Sequence, residues 1–138
     1  MATIKNCTDL PQSKKLAEIL PLESADMFYW CGEDVRFGNY KTMDLDFDIP
    51  CWSLAALMNL LPSEFTEKGE YSETTYRIDI RKYALTDDVD IYQIAYGNYH
   101  WHEDGSCSWS DMVNSGEKEE LIDAVFQMIC WLKENNKL

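Results

Sequence analysis

Near neutral pH, histidine is the side chain best suited to holding a metal or moving a proton. This chain has only two, His100 and His102, in the stretch HWHEDGSC that ends at Cys107. In an extended strand, residues two apart share a face, so both imidazoles would project together, a spacing used by zinc and nickel sites. The third ligand would have to come from the returning strand, and Cys107 is the nearest candidate. The turn decides whether it can reach. A two-residue loop at Asp104-Gly105 pairs His102 with Cys107 and puts His100, His102, Cys107 and Trp109 on one face. A three-residue loop, Glu103 to Gly105, places Gly105 at the left-handed position such hairpins favour. Trp101 then opposes Cys107, Tyr99 opposes Trp109, and the histidines sit across from Ser106 and Ser108. The second register groups three aromatics with Cys107 as one apolar face and respects strand alternation better. It makes the histidines a solvent-facing pair, so His100 and His102 remain weak metal candidates and no cofactor is expected.

Other chemistry finds less support. Asp44, Asp46 and Asp48 alternate like the opening of a calcium loop. Such a loop needs glycine at its sixth position and glutamate at its twelfth, and those positions hold Ile49 and Ala55. The segment Met43 to Ile49 reads instead as an edge strand with one acidic face, since three like charges discourage further pairing. A serine or cysteine nucleophile needs a positioned base, and only the two histidines could serve. No nucleophile elbow, phosphate loop or dinucleotide fingerprint occurs. The reading leans away from an enzyme, with a metal-binding or hydrolytic domain centred on His100 and His102 as an alternative.

The aromatics are the other notable group. Five tryptophans and eight tyrosines exceed ordinary usage, and large amphipathic rings often anchor interfaces. Those along residues 92–101 read first as core. Failing that, Tyr96, Tyr99, Trp101 and Trp109 would form an exposed interaction patch.

The elements that must carry these residues are legible in outline. A first helix begins near Thr8 or Asp9, where Asp9 and Gln12 make a capping box with Pro11 in the first turn, and stops at Pro21. Residues 26–31 and 35–40 read as strands around a turn at 32–34. Ser53 caps a short apolar helix, 54–61, bounded by prolines and buried on most sides. Trp52 packs beside it. Residues 63–74 read as an acidic loop. Residues 75–83 form a strand with Tyr76, Ile78 and Ile80 inward. Residues 91–101 form the longest strand, with a bulge at Gly97, and 106–110 pair back on it. A closing helix starts near Asn114, with Glu117, Glu119 and Glu120 in its first turns and Lys133 near its end. Leu121, Val125, Met128 and Leu132 form its apolar stripe. The sum is one α+β domain: an antiparallel sheet of about four to six strands, an N-terminal helix, a short central helix (54–61) and a long C-terminal helix (about 115–135).

Length and charge set outer bounds. The 138 residues suit one domain over the whole chain. Five cysteines without close pairs, no apolar signal core and no membrane-length segment point to the cytoplasm. The formal charge is −13, with both ends slightly basic and the middle strongly acidic. Such a field disfavours nucleic acid and anionic membranes and suits a basic protein partner. A homo-oligomer is the other partner reading. Acidic clusters at 33–48, 64–73 and 87–90 also allow an acidic mimic that occupies a nucleic-acid-binding site on a host protein.

The blocks LPLESADM (Leu20 to Met27) and PCWSLAALMNLLPS (Pro50 to Ser63), with the closing LIDAVFQMICWLKENNKL, resemble a group of small uncharacterised proteins carried by gut bacteria and their phages or mobile elements. The resemblance covers both ends and the centre, leaving out 64–112. It implies an intracellular accessory protein, and brings no activity, cofactor or site residue. The acidic middle, the aromatics and the lack of a catalytic constellation point instead to action through protein–protein interaction.

Overall fold

The computed structural model describes residues 5–138. The fold is α+β, with three α-helices and two antiparallel sheets. Helix α1 (Leu10–Ile19) has the expected start: Asp9 accepts from the Gln12 amide at 2.9 Å, and the Gln12 side chain accepts from the Asp9 amide at 3.1 Å. Strands β1 (Met27–Trp30), β2 (Asp34–Phe37) and β3 (Ile49–Cys51) form a small sheet in the order β2-β1-β3. Helix α2 (Leu54–Leu60) is capped by Ser53.

The larger sheet is a meander of β4 (Glu64–Lys68), β5 (Glu73–Ala84), β6 (Asp90–Trp101) and β7 (Cys107–Asn114). Helix α3 (Leu121–Glu134) packs on β6 and also touches α2 and α1. The core lies between them. Ile94 and Tyr96 of β6 meet Ile122, Val125, Met128, Ile129 and Leu132 of α3, while Leu16, Trp52 and Leu57 close the other side. Trp52 is fully buried and donates its indole N–H to Ser24 at 2.9 Å.

Four expectations change. Residues 43–49 do not form an alternating edge strand. Ile49 alone joins a strand, at the start of β3, and 43–48 make turns organised by Asp48, which is buried and accepts the backbone N–H of Cys31 at 2.8 Å and of Asp44 at 2.9 Å. An aspartate that satisfies two amides competes well with ladder pairing, and Leu45 and Phe47 are left exposed. The acidic stretch 63–74 is not all loop, because 64–68 pairs with 73–77 as the β4–β5 hairpin. The closing helix starts at Leu121, not near Asn114. Before it, the Ser115 amide donates to the Ile94 carbonyl while the Ile94 amide donates to Ser115 Oγ, and Lys118 exchanges two backbone bonds with Tyr92, continuing along the base of β6, so these groups are not free to start a helix. Glu117 and Glu119 therefore precede the helix, and Asp123 is the acid of its first turn. Finally, α2 is not buried on most sides: Leu57 is its buried residue, and Ala55 and Asn59 are exposed. The more enclosed helix is α3, where seven residues, including Ala124 and Cys130, are buried off the expected stripe as well as on it.

Candidate functional site

Pairing parity assigns every large-sheet side chain to a face. Phe65, Tyr76, Ile78, Ile94, Tyr96 and Val113 face the helices and join the core. Ile80, on the same face, lies beyond that cover and is largely exposed. The opposite face has no helix on it and carries Arg77, Asp79, Arg81, Gln93, Tyr99, Trp101, Trp109 and Asp111.

The hairpin takes the three-residue loop. Trp101 pairs with Cys107, His100 with Ser108 and Tyr99 with Trp109. The His102 amide donates to the Ser106 carbonyl at 2.8 Å, and Gly105 has φ +87°. Tyr99, Trp101, Cys107 and Trp109 share a face as the register requires, but it is the open face. Trp101 is 77% exposed and Tyr99 60%. Tyr96 faces the other way and is fully buried, its hydroxyl donating to the Pro62 carbonyl at 2.6 Å. Burial pushes that phenol above its usual range. Tyr96 is thus a core residue and no part of an interaction patch.

The exposed rings rest on a rigid base. Trp109 is half-buried and its indole lies over Gly97. A Cβ there would meet the Trp109 ring at 2.9 Å and run into the Ser110 carbonyl, so only glycine fits. The expected bulge is present, and the extra residue, Met112, is on β7 opposite the Tyr96–Gly97 step. Trp109 donates its indole N–H to Asp111 at 2.6 Å. The Asp111 carboxylate accepts two bonds from Arg81, at 2.6 and 3.0 Å. Arg81 also reaches Asp79 at 2.6 Å and Gln93 at 3.1 Å. Hydrogen bonding from Arg81 holds the Asp111 carboxyl below its ordinary range, against partial burial, with the Trp109 bond adding to the effect. Tyr99 then meets Trp109 edge-on, centroids 5.1 Å apart, a geometry worth about 0.5–1.5 kcal/mol beyond area burial.

The histidines lie on the face away from Cys107. His102 Nε2 is 2.9 Å from Ser108 Oγ, a serine–histidine contact in form. Both groups are exposed, and among the described residues the other ring nitrogen has no carboxylate to orient it, the third member such a pair needs. Among the described residues no three His, Cys, Asp or Glu side chains group closely enough to hold a metal.

The acidic clusters fall in different places. The 33–48 group is on the small sheet and its turns. The 64–73 group runs from mid-β5, where Glu64 pairs with Arg77, to the start of that strand, while the 87–90 group lies past its other end. Several are already paired, as in Glu64–Arg77, Lys137–Glu67 and Lys82–Asp90. No described helix is long and apolar enough to cross a membrane.

Sequence reasoning missed the Arg81–Asp111–Trp109 brace and the β4 strand. The available signal was Gly97 between aromatic neighbours on a strand, which marks a close approach as well as a bulge. No family model, curated protein or solved structure matches the chain.

Proposed function

We propose that this protein is a non-enzymatic accessory module that binds a protein partner on the open aromatic face of the β6–β7 hairpin. The observation that carries the reading is the exposure of Trp101 and Tyr99 on a braced base. Leaving two large rings in water on a rigid platform suits an interface anchor, because rigid aromatics contribute contact area at low entropic cost. The charge of −13 favours a basic partner through steering and complementarity.

Photo-crosslinking in bacterial cells tests this. A photoreactive residue at position 101 should capture a basic protein that the same residue at Lys14, exposed on α1, does not. With the probe at Cys107, beside the rings, the Tyr99→Ser/Trp101→Ser double variant should lose that band. Equal capture from position 14, or capture that survives the double substitution, rejects the reading.

A further inference from the structure

The two hairpins of the large sheet part company toward their tips. β5 pairs with β6 from Ala84↔Asp90 to Arg77↔Gly97, and among the described residues the ladder stops there. Beyond that point β5 continues beside β4 through Glu73, and β6 continues beside β7 through Trp101. Antiparallel strands direct their N–H and C=O groups to alternate sides. The Ile78 amide points to β4, where it donates to Ser63, so Thr75 and Glu73 direct theirs toward β6. The Ile94 carbonyl and the His102 amide point to the β7 side, so Tyr99 and Trp101 direct theirs toward β5. Two short strand edges therefore face each other across a gap, each with backbone donors and acceptors and no ladder partner.

The gap is roomy on both faces. On the open face a cleft of about 330 Å³ is lined by Thr75, Arg77, Tyr99, Trp101 and Trp109. On the other, one of about 530 Å³ is lined by Thr74, Tyr76, His100 and Ser110. Asn98 borders both. Its surroundings are acidic: residues 64–77 and 97–109 hold six carboxylates against two cations. Both cations are already engaged, Arg77 with Glu64 and Lys68 with Glu73, and Lys137 reaches Glu67, which leaves Glu70, Glu103 and Asp104 without a cation partner among the described residues. Glu70 and Glu103 are exposed at the two tips.

We infer that this gap receives an extended, basic peptide segment of the partner, inserted as a strand between β5 and β6. Free backbone groups on both sides supply ladder hydrogen bonds, as in strand addition to a sheet edge. Alternate side chains of the segment project over Tyr99, Trp101 and Trp109, where lysine or arginine gains cation–π contact, while the surrounding carboxylates favour its charge. The inference rests on the proposed interaction role and adds the partner's chemistry and conformation.

The test is a display selection of random peptides about ten residues long against the full chain. Enriched peptides should carry Lys or Arg at alternate positions. By fluorescence anisotropy, N-methylation of either alternate set of residues should weaken binding at least tenfold, because an inserted strand bonds on both sides. Amide exchange should slow at Glu73, Thr75, Tyr99 and Trp101 in the bound state. No enriched peptide, unchanged binding after N-methylation, or slowed exchange elsewhere overturns the inference. Sensitivity to one methylated set alone means pairing with a single hairpin, and also overturns it. If crosslinking through position 101 succeeds while these results fail, the aromatic interface stands and strand insertion falls. If peptides insert while crosslinking fails, the reverse holds.

Discussion

Replacing Asp111 with alanine removes the acceptor on which the open face is organised. The carboxylate takes two charge-assisted bonds from Arg81 and one from the Trp109 indole. Bonds to charged groups are worth about 1.5–3 kcal/mol each, and they are not additive. Two features reduce the sum: both side chains retain about a quarter of their exposure, and Arg81 keeps Asp79 and Gln93. The net cost should be about 2 kcal/mol, lowering Tm by roughly 6–8 °C for a chain of this size. Urea unfolding measures it, and a double-mutant cycle with Arg81→Met should show a coupling of about 1 kcal/mol or more. The pH dependence has a definite sign. The Asp111 pKa is lowered on folding, chiefly by the Arg81 bonds, so its contribution is complete above the unfolded value of about 3.9 and is lost as pH falls through the folded one. The stability gap between wild type and Asp111→Ala should be flat from about pH 5 to 8 and shrink below about pH 4. A variant within 0.5 kcal/mol of wild type, additive behaviour with Arg81→Met, or a gap that widens in acid would refute the brace.

Three further outcomes follow from the same geometry. Gly97→Ala drives a methyl into the Ser110 carbonyl and the Trp109 ring, and should cost roughly 2–4 kcal/mol by chemical denaturation, since backbone must shift to admit it. Asp48→Ala leaves the Cys31 and Asp44 amides without their carboxylate and should cost about 1–3 kcal/mol, with faster amide exchange at both positions as the signature. Zinc, nickel or manganese should leave Tm unchanged, because the histidine face offers no third ligand among the described residues; a shift abolished by His100→Ala would restore the metal reading.

Much of this arrangement was legible in local chemistry. The Asp9–Gln12 box and the Ser53 cap announced α1 and α2, because each cap satisfies amides within its own turn. Gly105 and the spacing of Tyr99, Trp101 and Trp109 favoured one of two hairpin registers, and the structure adopts that one. Elsewhere, local pattern pointed the wrong way. The alternation of Asp44, Asp46 and Asp48 imitated a strand, whereas Asp48 serves two amides, one of them seventeen residues away. The run of glutamates after Asn114 imitated a helix start, but the segment is held by β6. In both places a distant backbone partner overrode the local preference.

Sequence alone determined the α+β class, the caps of α1 and α2 and the long β6 strand, since all of these depend on near neighbours and a period of two. It could not determine which face would be covered. Tertiary structure decided that by packing α3 against Ile94 and Tyr96, and a mismatch of lengths decided how far along that face the cover extends. The fourteen residues of α3 span about 21 Å, while the twelve of β6 reach about 40 Å. The helix covers the half of the strand that holds Ile94 and Tyr96 and leaves the half that holds Tyr99, His100 and Trp101 bare on both sides. Tyr96 is a core residue because it faces α3, Tyr99 and Trp101 are exposed because they point to the uncovered face, and His100, on the face of Tyr96, is exposed because the helix ends short of it.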